Sequence, residues 1–445
     1  MWDDVPEVAG KGRASQGPED RVRHTISQSA EPARGALAPS VRDARLDVLR
    51  GLAILVIAIT HMEQGELRLH LLRPWLVAPF GVSTWAELFV GISGMLYGLV
   101  YGRAYVRKGP AHLLTKSLRR AGQIYVANLL AFLGALLAVH AAYKIGGDRG
   151  YLLEQVKPYL IGPDWSAYLD VVLLRRGPDQ FDVLPLYVVL LLLAPGVLVL
   201  LLRRPRAGLA ASAVLAVAGW SAYFIPVGQG RVVRDLLPWS MHYFDPLGWQ
   251  LLFSVGMYFG VRRLYGQPSV PRHPWLLATA LVIVLSTFAV IQVPKLQREI
   301  HDPIRLRADA GILDSREPSA YALPTEPREA ASLLASKHLM GPGRLVHFMA
   351  LIYVLAYFLA GRQWLWRNPA ARVLAIVGRH SLYVFAFGLV LNYLGHTALQ
   401  GAGLGTPAAL AFQVLAVGLA IGFAYALEAS RRRASATSSS GSGSS

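Results

Sequence analysis

Apolar residues in this chain gather into long uninterrupted runs rather than alternating positions. Runs near 46–62, 85–102, 119–141, 183–202, 208–225, 247–264, 274–292, 344–361, 373–394 and 406–428 each approach the ~20 residues a helix needs to cross a hydrocarbon core. Their continuity excludes a transmembrane barrel, whose strands alternate apolar and polar positions. The pattern predicts an all-α, polytopic integral membrane protein of about ten transmembrane helices. Residues 1–40 are rich in Pro, Gly, Ala and charge without apolar periodicity, which predicts a disordered cytoplasmic tail. A single transmembrane domain is expected over 41–429, followed by a flexible Ser/Gly-rich tail over 430–445 that ends in SATSSSGSGSS. The first run begins at Leu46, is long, and lacks a following small-residue cleavage site, so no cleavable signal is expected.

Charge orients these runs. The chain is 54% hydrophobic and 16% charged, against ~25% charged in soluble domains. Its 44 Lys and Arg outnumber its 27 Asp and Glu, a formal net charge of +17, but the excess sits beside the apolar runs and not in a nucleic-acid patch. Arg103, Arg107, Lys108, Lys116, Arg119 and Arg120 follow the second run; Arg203, Arg204 and Arg206 the fourth; Arg262, Arg263 and Arg272 the sixth; Arg362, Arg367 and Arg372 the eighth; Arg431, Arg432 and Arg433 the last. All fall on one side if the N-terminus is inside, so the positive-inside rule predicts N-in, C-in in the cell (cytoplasmic) membrane. Two longer mixed-charge loops, near 142–182 and 293–343, then lie outside, either as a cap over a substrate entrance or as solvated connections. The chain has no Cys, which removes disulfides, thiolate nucleophiles and cysteine metal sites. No phosphate loop, dinucleotide fingerprint or metal-ligand helix is present, so neither a metal nor a permanently bound cofactor is expected.

Candidate chemistry begins in RLDVLRGLAILVIAITH. Eleven positions separate Arg50 from His61, which leaves them roughly 20° apart in azimuth and ~16 Å apart along a helix, with Asp47 within about 40° of the same line. A signal anchor explains Arg42 and Arg45, but not His61 followed by Glu87 in STWAELFVGISG. Ionisable groups inside a span mark an intramembrane site. Orientation sorts the remaining polar residues by depth: His61, Glu87, Asp182, His242, Asp245, Gln250 and His347 near the outer boundary, Arg50 toward the inner basic loops. Asp47, Asp182, His242, Asp245, Gln250 and His347 are candidate substrate contacts, with interfacial loops or interhelical hydrogen bonds as the alternative reading. Such a set has what acyl transfer to a hydroxyl needs. A neutral imidazole accepts the acceptor's proton, a carboxylate such as Glu87 orients it, and Arg50 with Arg103, Arg119, Arg120 and Arg379 holds a phosphate-bearing donor. His61 and Glu87 are then expected in one outward-opening cavity. Gly91, Gly94 and Gly98 read as close helix contacts.

At these residues the chain resembles the OpgC family, named for succinyl transfer to osmoregulated periplasmic glucans and similar to a branch of the acyltransferase-type-three membrane enzymes. RLDVLRGLAILVIAITH, AELFVGISG, FDVLPLYVVLLL and GRHSLYVFAFG carry the resemblance. It implies that His61 is catalytic with Arg50 and Glu87 as essential companions, that acyl-CoA is the cytosolic co-substrate, and that the acceptor is an extracytoplasmic glycan hydroxyl. Succinyl and acetyl groups fit these residues equally. The alternative is a proton-coupled transporter or flippase using the same intramembrane charges, though the chain lacks the internal repeat such carriers commonly show.

Overall fold

A computed structural model describes residues 37, 43–62, 78–79, 81–144, 151–160, 164–228, 231–233, 243–268, 272–292, 334–359 and 361–440. His242 and nearly all of the expected 1–40 tail lie outside the described residues, as do 293–333 of the second long loop. Among the described residues the architecture is all-helical apart from one short ribbon. Helix α1 spans Ala44–Met62, α2 Trp85–Lys144, α3 Tyr151–Leu160, α4 Trp165–Val172, α5 Val183–Arg203 and α6 Pro205–Ser221. Strands β1 (Pro226–Gly228) and β2 (Arg231–Val232) pair antiparallel. Then come α7 (Pro246–Leu264) and α8 (Pro274–Thr287), which runs into a π-turn at Phe288–Gln292. Helices α9 (Pro342–Leu359), α10 (Gln363–Arg367), α11 (Pro369–Arg379), α12 (Ser381–Gly401) and α13 (Thr406–Ser440) complete the order.

Among the described residues five helices, α2, α5, α9, α12 and α13, are long and apolar enough to cross a membrane. Helix α1 has comparable length but carries Arg45, Asp47 and Arg50. Helix α2 is two limbs. Gly109 adopts φ 80°, a left-handed conformation open to glycine, and Pro110 supplies no backbone donor. The chain therefore folds back on itself. The limbs are tied by a hydrogen bond between the Tyr97 and Ser117 hydroxyls and by Lys116 over the Tyr101 ring at 4.6 Å. On the second limb Val126, Leu130, Leu133 and Leu137 form an exposed stripe at helical spacing, the face a bilayer would cover.

Polar caps followed by proline start several helices. Asp245 accepts from the Leu247 and Gly248 amides ahead of α7, and Asn368 accepts from the Ala371 amide ahead of α11; Pro246 and Pro369 then fill first-turn positions whose amides have no partner anyway. Glycines let the central helices approach. A Cβ on Gly94 or Gly98 would overlap the Phe253 or Met257 carbonyl of α7, and one on Gly256 or Gly260 would overlap the Gly91 or Met95 carbonyl of α2. The same device joins α1 to α11, where Gly51 meets the Leu374 carbonyl and Gly378 meets the Asp47 carbonyl.

Two sequence expectations are corrected. The run at 373–394 is not one helix. Amphipathic α11 ends at Arg379 and α12 starts at Ser381, because PAARVLAIVGR buries only one face, against α1. The last helix continues to Ser440, into the segment expected to be a flexible tail. The 142–182 connection holds α3 and α4, with the Asp164 side chain capping α4 through the Ser166 amide.

Candidate functional site

A cavity of ≈890 Å3 lies between α1, both limbs of α2, α5, α7 and the start of α12. Its basic end is set by the fold-back at Gly109. Arg103, Arg107 and Lys108 precede that glycine and Lys116 and Arg120 follow it, and all five line the cavity with Arg263 and Arg50. Seven cations thus face two lining carboxylates, Asp43 and Asp47, and Asp43 is paired with Arg263 and with Arg45 at 2.9 Å. Burial works against the Asp43 charge, but the Arg45 hydrogen bond and the Arg263 charge prevail and hold its carboxyl below the usual value. Multiple guanidinium and ammonium groups around one opening suit a ligand carrying several phosphate charges.

Arg50 marks the middle of the cavity. Its guanidinium donates to the Ser381 hydroxyl at 2.6 Å and lies over the Phe89 ring, 5.4 Å from the centroid. Beyond it the lining turns apolar, with Phe89, Val183, Leu184, Tyr187 and Phe385. The Phe385 ring meets the His61 ring in an edge contact, centroids 6.3 Å apart. One side chain therefore separates the far end of the basic cavity from His61. No hydrogen bond to the His61 ring forms among the described residues.

Glu87 is fully buried but does not touch His61. One carboxylate oxygen accepts from the Thr84 amide at 2.8 Å and the Thr84 hydroxyl at 2.5 Å, and the other is bound by Arg344. Arg344 also donates to the Ala335 carbonyl at 2.9 Å. Neither His61 nor Glu87 lines the large cavity, which opens among the basic residues.

The other candidates divide. Arg50, Arg103, Arg120 and Asp47 line the cavity, whereas Arg119 is exposed outside it and Arg379 faces Glu428 at 3.3 Å. Asp182 accepts from the Tyr243 amide at 3.2 Å. Asp245 caps α7 and accepts from the Tyr223 hydroxyl at 3.2 Å. Gln250 donates to the Ser212 carbonyl at 2.6 Å, and His347 pairs with the Ser83 hydroxyl at 2.7 Å. These four meet protein groups and not the cavity. Sequence reasoning missed Arg344 and Lys337. The Lys337 charge acts on both His61 and Glu87; burial pushes its amine below the usual value, Glu87 opposes that, and Arg344 adds to it. Its ammonium sits 5.7 Å from the centroids of both Tyr243 and Phe244.

A family model described as OpgC protein matches residues 42–432. No curated protein shows a significant match to the chain.

Proposed function

The chain belongs to the OpgC family, and from that premise we propose that it is a membrane O-acyltransferase moving an acyl group, succinyl or acetyl, from cytosolic acyl-CoA to a hydroxyl of an extracytoplasmic glycan. The observation that carries this reading is the continuity of one cavity from six cations, past a seventh, Arg50, to a ring in contact with His61. Phosphates of the donor rest among Arg103, Arg107, Lys108, Lys116 and Arg120, the thin pantetheine arm passes Arg50, and the thioester ends beside His61. The acceptor hydroxyl approaches from the opposite side and gives its proton to the His61 imidazole as its oxygen attacks the thioester carbonyl. The carbon–sulfur bond breaks, and the proton passes to the departing thiolate, leaving an ester and free CoA.

The same reading orients the chain. Ten crossings are assigned to α1, the two limbs of α2, α5, α6, α7, α8 with its π-turn, α9, α12 and α13. With both termini in the cytoplasm, the basic end of the cavity faces the donor. Glu87 acts in this scheme as a brace for the outer end of α2 through Arg344, not as the group that orients His61.

The test uses purified protein in liposomes, labelled acetyl-CoA or succinyl-CoA, and glycan acceptors. Acceptor-dependent CoA release that is lost in His61→Ala is the expected result. Solute movement without CoA release would replace the reading with that of a carrier.

A further inference from the structure

We infer that Gln180 is a positioning residue for His61, gripping the last turn of α1 by its backbone and gripped in turn by Asn392. The inference rests on the reading of His61 as the group that takes the acceptor's proton. Gln180 is buried in the loop before α5 and adopts φ 73°, a conformation that residues other than glycine take only against a steric cost. Three contacts hold it there. The Tyr393 hydroxyl donates to the Asp179 carbonyl at 2.7 Å, Phe181 packs against Tyr393 with ring centroids 5.7 Å apart, and the Asn392 amide donates to the Gln180 side-chain oxygen. The remaining end of the Gln180 amide donates to the His61 carbonyl at 3.4 Å.

That carbonyl lies in the last described turn of α1, and the Gln180 amide reaches it from outside the helix. The imidazole has no hydrogen bond of its own among the described residues, so its place is set by its backbone and by the edge of Phe385. A donor that fixes the His61 carbonyl therefore fixes the ring. One turn along α12 from Asn392, His396 is buried beside the same turn, without a hydrogen bond from either ring nitrogen among the described residues. Glu87, whose oxygens are taken by Thr84 and Arg344, cannot fill that role.

Two variants test this. Gln180→Gly keeps the left-handed backbone and removes the amide; Gln180→Glu keeps the acceptor for Asn392 and removes the donor to His61. Both should lower kcat for acyl transfer roughly 10- to 100-fold, the scale of a small misplacement of a reacting group, with KM for acyl-CoA within about twofold because the basic cavity is untouched. Independently of turnover, diethyl pyrocarbonate labelling of His61 in the unliganded protein, read by peptide mass spectrometry against exposed His140, should change severalfold in both. Wild-type kcat together with wild-type His61 labelling in Gln180→Gly would overturn the inference. So would a kcat loss matched by a proportional rise in KM and a fall in melting temperature, which would mean general loosening. If the wild-type protein releases no CoA, the acyl-transfer reading fails by itself, and the labelling comparison still decides the role of Gln180.

Discussion

Glu87 and Arg344 show what a charge needs in order to sit in the apolar body of this protein. Glu87 is completely buried and Arg344 nearly so, and each charge has the other as its counter-ion, with Thr84 and the Ala335 carbonyl taking additional hydrogen-bonding capacity. Removing one partner of such a pair strands the other and costs about 3–5 kcal/mol, whereas replacing both by apolar side chains is often close to neutral. Glu87→Leu and Arg344→Leu should therefore each depress the melting temperature in detergent strongly, and the double variant should be more stable than either single one. Simply additive losses would mean that the two groups stabilise the fold separately. The pair also shows why sequence order alone sets Glu87 beside His61. The two residues lie near the same bilayer boundary in the predicted order, but the true partner is 257 positions away, and Arg344 looks from sequence like an ordinary flanking cation.

Among elements, α1 is held at its N-terminal end by two different physical devices. Gly51 and Gly378 bring the backbones of α1 and α11 into contact, and the overlaps an added Cβ would make are with backbone carbonyls, which cannot rotate away. Gly51→Ala should reduce the yield of folded protein and displace the adjacent Arg50. Gly122→Ala, with nothing near its added methyl, should be neutral or slightly stabilising by helix propensity; equal behaviour of the two in a size-exclusion and melting assay would contradict the packing argument. The second device is Asp43, whose carboxyl is held low by Arg45 and Arg263 against the opposing effect of burial. A depressed carboxylate contributes stability above its unfolded pKa of ~3.9 and loses it as pH falls through the lower folded value. Asp43→Asn should accordingly melt below wild type at neutral pH, with the gap closing on acidification below about pH 4. The stripe of Arg50 and His61 was legible from helical arithmetic, and so were the ends of most apolar runs. The reversal between the runs at 85–102 and 119–141 was legible too, though not its exact place at Gly109–Pro110; the break at His380 was not, since it joins two good helical segments without an intervening polar loop. Gln180 carried no signal at all: an uncharged amide in a loop has no periodicity, and its meaning comes only from the carbonyl it reaches.

At the scale of the whole molecule, cations in this chain do two jobs that sequence alone does not separate. In the proposed topology those beside apolar runs anchor the spans, and a subset is turned inward by the hairpin in α2. Arg119 and Arg120 are adjacent, yet only Arg120 lines the cavity, because neighbouring positions on a helix point about 100° apart. That difference makes the donor site testable as a field rather than as a single contact. If a polyphosphate donor enters among Arg103, Arg107, Lys108, Lys116 and Arg120, its KM should rise with ionic strength, since charges at an open mouth are screened over a Debye length of ~8 Å in physiological salt. Arg120→Gln should raise KM for acyl-CoA severalfold and flatten that salt dependence while leaving kcat near wild type, and Arg119→Gln, one residue away and outside the cavity, should do neither. Equal effects of the two substitutions would show that the chain's overall positive charge, and not the geometry of the cavity, attracts the donor.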